Sequence, residues 1–173
     1  MPAAQEDIVF RRRRHDDGFV ESLYARTVER ARAPELYISC GIPDTFDGRF
    51  DALALHASLI IDRLRRETDG EQLAQAFFDV MFRHLDLTLR ELGVQDLGVG
   101  RRIKIMAEGL HGRALAYRQA LSANSSTTLS EVLRRNAYGG RSPADEGAVA
   151  RLEAHVLRQA ELLATTSRAD LVK

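Results

Sequence analysis

Asp47 and Asp51 stand four residues apart in the stretch GIPDTFDGRFD that runs from Gly41 to Asp51, with Arg49 between them. On a helix that spacing puts both carboxylates on one face, and paired carboxylates are a donor set for a metal ion or for acid-base hydrolysis. The plainer reading is that they cap helices and pair with arginines such as Arg49, because a metal needs further ligands that the sequence does not place. His56 follows beside an apolar face, where a lone histidine is usually a hydrogen-bonded interior residue. His84, Asp86 and His111 could meet across a hairpin and ligate zinc or iron, yet the chain carries neither a His-Glu-x-x-His pair nor the Glu-x-x-His repeats of di-iron bundles. Arg113 and Tyr117 form a further pair at helical spacing. Tyr117 could bury its ring while its hydroxyl and the Arg113 guanidinium stay available to a partner, or Arg113 could instead pair with Asp47 or Asp51 and lock two helices together.

No nucleophile is set up elsewhere. Cys40 is the single cysteine, cannot form an intramolecular disulfide, and reads as a small buried hydrophobe. Gly-x-Ser-x-Gly, a phosphate-binding loop and a dinucleotide fingerprint are all missing from the sequence. The expectation is a chain without catalytic function or cofactor.

The elements that position these residues are helices. From Glu71 to Gly93, after a turn at Thr68-Asp69-Gly70, Ala74, Phe78, Met81, Phe82, Leu85, Leu89 and Leu92 recur at helical spacing, while Leu73, Phe77 and Val80 widen the apolar surface. Ile103, Met106, Leu110, Ala114, Tyr117 and Leu121 make a second stripe, with Arg101, Lys104, Glu108 and Arg118 left to face water or a partner, and the Gly93 to Gly100 joint between the two helices predicts a tight antiparallel return. Phe46, Phe50, Leu53, Ala57, Ile60 and Leu64 mark a third helix, capped by Asp44 or Thr45. Further helices are expected over 18–33, in a short piece from Pro34, over 127–136, and from Ser142-Pro143 to Ala164, with Glu146 in the capping-box place. No segment alternates as a strand does. The predicted fold is all-α, a single compact bundle of five to seven helices around a central antiparallel hairpin.

The expected organisation is a flexible basic arm over 1–17, a helical domain over 18–166 and a frayed tail over 167–173. Arg11 to Arg14 could touch lipid headgroups or RNA phosphate, although a charge run is usually just solvated. With 25 basic and 25 acidic residues the formal net charge is zero, which disfavours a general nucleic-acid binder and stable DNA binding. No apolar run is long enough to span a bilayer, so a soluble, cytoplasmic chain is expected.

Several words of the sequence, in order, resemble the ubiquinol-cytochrome c chaperone family: Gly41 to Asp51 with His56 following, Gln75 to Asp86, Leu89 to Val99, and Gly112-Arg113 followed by Tyr117. The resemblance covers about residues 20–140. It departs at His84, where the family carries an acid, and at Leu110-His111, where Phe-Tyr is common. It implies a non-enzymatic assembly factor that acts on nascent or newly inserted cytochrome b and on assembly intermediates of the cytochrome bc1 complex, peripheral at the cytoplasmic face of the inner membrane. A ribosome or a small protein partner is left open. The residues proposed to meet a partner are Asp47, Arg49, Asp51, His56, Arg113 and Tyr117. The alternatives are a metal-binding or hydrolytic helical bundle and a ribosome- or RNA-associated adaptor.

Overall fold

The structure, a computed structural model, describes residues 3–173 apart from 124, 142, 144 and 146, and the side chains of those residues apart from 3–15 and 97. Its described residues form seven α-helices and a closing 3-10 turn, without a strand: α1 (Ala3–Ala31), α2 (Pro34–Ile38), α3 (Phe46–Leu64), α4 (Gly70–Glu91), α5 (Asp96–Ala120), α6 (Leu129–Asn136) and α7 (Gly147–Thr165). The all-α bundle is as expected, but its centre is not the α4–α5 hairpin. α3 is. It packs against α5 more extensively than any other pair of helices touches, and also meets α1, α4 and α7. Its sequence explains this: ALALHASLII, from Ala52 to Ile61, is apolar on nearly every side, and each of these residues is buried.

The stops and starts follow from local chemistry. Thr45 accepts a hydrogen bond from the Gly48 amide at 3.1 Å and so caps α3. At the end of α4, Gly93 adopts φ +79°, and the amides of Gly93 and Val94 reach back to the carbonyls of Arg90 and Leu89. That left-handed turn completes the hairpin in four residues, so Gly98 and Gly100, expected in the joint, instead lie inside α5. Thr128 and Glu131 cap α6 reciprocally. The expected cap of α7 at Ser142 and Glu146 lies outside the described residues; Asp145 accepts from the Gly147 amide at 2.8 Å, and the helix starts at Gly147.

Both chain ends differ from expectation. α1 begins at Ala3, within the stretch read as an arm, and Arg11 to Arg14 belong to side chains outside the description. The C-terminal segment is docked rather than frayed. Leu171 is buried, Arg168 pairs with Asp16 and Asp69 at 2.7 and 3.1 Å and lies over the Phe19 ring, and Arg26 donates to the Val172 carbonyl. These contacts tie the last residues to α1 and to the start of α4.

Candidate functional site

The stretch from Gly41 to Asp51 folds onto itself before it meets anything else. Gly41 has φ +68°, a left-handed conformation that glycine adopts without strain. Gly48 lies so close to Pro43 that a Cβ there would fall 1.9 Å from the Pro43 carbonyl oxygen. Only glycine lets the capping turn close against α3. Arg49 pairs with Asp44 at 2.6 Å on the surface rather than with Asp47 or Asp51, and holds the Asp44 carboxyl below its usual range. Asp47 is exposed.

Asp51 points inward. It is 4% exposed and receives Arg113 Nη2 at 2.6 Å, which joins α3 to α5. The Arg113 guanidinium also lies 5.6 Å from the centre of the Phe50 ring. Burial raises the Asp51 pKa, Arg113 pulls it back down, and Asp47 adds a smaller upward push. Tyr117, one turn beyond Arg113, is 1% exposed; its hydroxyl and Arg113 Nε are buried with no hydrogen-bond partner among the described residues. Burial pushes the Tyr117 phenol up as well.

His56 lies deeper along α3. The Ala52 carbonyl can only accept, so His56 Nδ1 carries the proton that makes their 2.8 Å bond. His56 Nε2 is therefore the acceptor for His155 Nε2 at 3.2 Å, which ties α3 to α7. Burial lowers the His56 pKa to about 4 and lowers that of His155 too, so both are neutral near pH 7.

The six residues proposed to meet a partner thus divide. Asp47 and Arg49 are on the surface, while Asp51, His56 and Tyr117 are interior and Arg113 is mostly buried. Asp51 and Arg113 together make the helix-locking pair that was the plainer reading of Arg113, and Asp51, His56 and Tyr117 are buried within the bundle. The histidines of the conceivable metal set also separate. His84 stacks on Tyr24 of α1, whereas His111 lies edge-on to Phe78 beside α5. Among the described residues no group of three or more His, Cys, Asp or Glu could hold a metal ion. Asp86 pairs with Arg90 at 2.6 Å as its spacing predicts, but Arg83 turns to Glu21 on α1 and Asp79 to Gln75.

Two grooves sit at opposite ends of the α3–α4 pair. The larger, about 470 Å³, lies between α1, the start of α3 and the end of α4. Its walls include Tyr24, Val28, Phe46, Phe50 and Leu53, with Arg32, Asp44, Thr45 and Arg49 on its rim. Leu92, 63% exposed, forms a lip. The second, about 390 Å³, lies between the end of α3, the start of α4 and α5, where Phe78, Leu110 and Leu115 meet Arg65, His111 and Arg118. Phe77 and Phe82 are core residues, whereas Phe78 is only half-buried because it walls this groove. Sequence reasoning reached Arg49 and Phe78 and set Arg118 to face water or a partner; it placed Leu92 on the core stripe, which its exposure corrects, and it did not reach Arg32 or Leu115.

These features make an α-helical bundle with a buried ion pair and two grooves of mixed apolar and cationic lining. Residues 39–173 match the family described as Ubiquinol-cytochrome C chaperone, and the chain belongs to that family. The crystal structure of the Cbp3 homolog from Brucella abortus is similar in fold, with a TM-score of 0.77 and 34% identity over 95% of this chain and 91% of that one. Mouse ubiquinol-cytochrome c reductase complex assembly factor 1 is 22% identical over 100 residues, which are 57% of this chain and 34% of the mouse protein. The chain thus spans about a third of the length of that curated relative.

Proposed function

We propose that this protein is a non-enzymatic chaperone that holds newly made cytochrome b for assembly into the cytochrome bc1 complex, at the surface of the membrane that receives it. The family match over residues 39–173 carries the reading, and the mouse relative is named for assembly of the same complex. The larger groove suits the task. A membrane-protein segment waiting for its partners exposes aliphatic surface that water drives together, and a chaperone must cover that surface while staying hydrated. Aromatic and aliphatic walls with a rim of Arg32, Arg49 and Thr45 combine both properties, in a volume within the roughly 300–1,000 Å³ usual for binding clefts. Asp47 lies beside that rim on the first turn of α3, and Asp51, Arg113, Tyr117 and His56 act from inside by fixing α3 against α5 and α7. Bc1 assembly intermediates are further partners in this reading.

Deleting the gene should lower assembled bc1 complex and its b-type haem while leaving the cytochrome b transcript in place. Normal complex and normal haem in the deletion strain would refute it. A photo-crosslinker in place of Leu92 should capture cytochrome b, and one in place of Ile38, which is 83% exposed on α2 and outside the groove lining, should not.

A further inference from the structure

Between Asp96 and Asp145 the chain holds just two acids, Glu108 and Glu131, against eight arginines and lysines, although the whole chain is neutral. α5 presents much of this excess to solvent. Arg101, Arg102 and Arg118 are exposed and pair with no carboxylate among the described residues, and Lys104 meets Glu108 only at 4.0 Å. On the same side lie two aliphatic residues that the core does not use, Ile105 at 58% and Leu115 at 46% exposure. Arg101, Ile105, Gly112 and Leu115 follow one another at three- to four-residue or two-turn spacing, so the cations and the aliphatics share the outer face, opposite Met106, Leu110 and Tyr117. Ile105 and Leu115 are ten residues apart, which is about 15 Å along the axis.

We propose that this outer face of α5 docks on an anionic lipid bilayer, its arginines among the headgroup phosphates and Ile105 and Leu115 inserted at the acyl boundary. A helix lying in the interface needs this composition: a cationic flank, a few aliphatics at the centre and low overall hydropathy. The two exposed aliphatics decide among anionic partners. A nucleic acid would leave the two aliphatics against phosphate and finds no exposed Phe, Tyr or Trp among the described residues of α5, whereas a planar bilayer gives each group its own depth. Among the described residues no helix is long and apolar enough to cross a membrane, so this contact is peripheral. The inference rests on the functional reading above only in supplying the membrane-side placement.

Purified full-length protein is mixed with phosphatidylcholine vesicles holding about one third phosphatidylglycerol, and with pure phosphatidylcholine vesicles, and sedimented. Binding to the anionic vesicles alone, weakened by salt, is expected. Each lost cation should weaken it about fivefold, so Arg101→Gln with Arg102→Gln should weaken it about 25-fold while the helical signal is retained. Ile105→Ser with Leu115→Ser should weaken it about tenfold. An environment-sensitive dye on Ile105→Cys should shift to the blue on anionic vesicles, and one on Ile38→Cys should not; Cys40, 1% exposed, stays unlabelled. Unchanged binding by the double arginine variant, equal binding to the two kinds of vesicle, or an unmoved Ile105 dye would overturn the proposal. So would a loss seen only on changing Arg11 to Arg14 to glutamine, which assigns docking to the N-terminal arginines. Crosslinks from Ile105 to an acidic protein without vesicle binding would make the face a protein interface instead. A protein that binds vesicles but does not restore bc1 complex in the deletion strain would overturn the functional reading and leave the docking face standing.

Discussion

Replacing Arg113 by methionine keeps a long apolar stem in place and removes the guanidinium that reaches Asp51. The Asp51 side chain is 6% accessible and that of Arg113 22%, so the variant leaves a carboxylate buried while the wild-type pair keeps one edge near water. Breaking a buried ion pair by removing one partner costs about 3–5 kcal/mol, and the partial exposure of Arg113 points to the lower end, about 3 kcal/mol. Asp51→Asn should cost less, about 1–2 kcal/mol, because the stranded guanidinium can turn toward solvent and stay over Phe50. Urea denaturation of both single variants and the double variant then gives a coupling energy, expected at about 1.5–3 kcal/mol. Coupling below about 0.5 kcal/mol would refute the idea that this pair locks α3 to α5.

The same pair predicts a pH signature. The Asp51 pKa is raised in the folded protein by burial, so the unfolded chain ionises it first. Stability from this group therefore falls as pH rises from the ordinary 3.8 through the raised folded value, and the cost is present in full above that value. Arg113 limits that cost by pulling the pKa down. Without Arg113 the folded pKa climbs further, so the deficit of Arg113→Met relative to wild type should shrink as pH is lowered and Asp51 takes up its proton. A deficit that stays constant from neutral to acid pH would mean that lost packing, and not a stranded charge, is the cause.

His56 supplies the opposite sign. Its folded pKa near 4 lies below the ordinary 6.5, so the unfolded chain gains the proton first and stability should fall by about 3 kcal/mol as pH drops through that window. His56→Leu should flatten the dependence, and an unchanged slope by urea denaturation at each pH would count against the buried neutral pair. Gly48→Ala should cost about 1–3 kcal/mol by opening the turn at Pro43, whereas Gly112→Ala, at a helical position with nothing near its Cβ, should gain about 0.5–1 kcal/mol in thermal unfolding. The reverse order would show that the turn is not closely packed. Tyr117→Phe should be neutral or stabilising, because it removes a buried hydroxyl that has no hydrogen-bond partner among the described residues. A loss above about 1 kcal/mol on denaturation would show that the hydroxyl is satisfied.

What could be read from the sequence was local. Thr45 before Phe46, the stripe from Leu73 to Leu89 and the short helix within 127–136 each announce themselves within a turn or two, and each is where it was expected, although the Thr128 to Glu131 box that caps the last was not read. The centrality of α3 was also written in the chain, since a helix apolar on all sides has neighbours on all sides, but the longer amphipathic pair drew the eye. The start of α1 was not legible, because a run of charges has no periodicity to mark a helix. Nor was the docking of the tail, where Leu171 and Val172 form an apolar pair too short to show a period. The ion pair Asp51–Arg113 and the pair His56–His155 join residues 62 and 99 positions apart. Spacing along a helix could offer the first as one option among several and could not suggest the second at all.

The same distinction explains why the residues that looked most able to do chemistry are inside. A buried carboxylate, guanidinium or imidazole must find a specific partner, so such residues stand out as words in a sequence even when their work is to hold helices in register. A surface that binds apolar segments or lipid has no such demand. Leu92, Leu115, Ile105 and Arg118 are ordinary residues whose importance comes only from which helices lie beside them. It follows that loss of client capture in an Arg113 variant does not by itself place Arg113 in the contact. If α3 is merely loosened, capture should return under conditions that restore the fold, such as mild acid for Arg113→Met, whereas a substitution on the groove lip at Leu92 should leave stability near wild type and capture impaired under all of them.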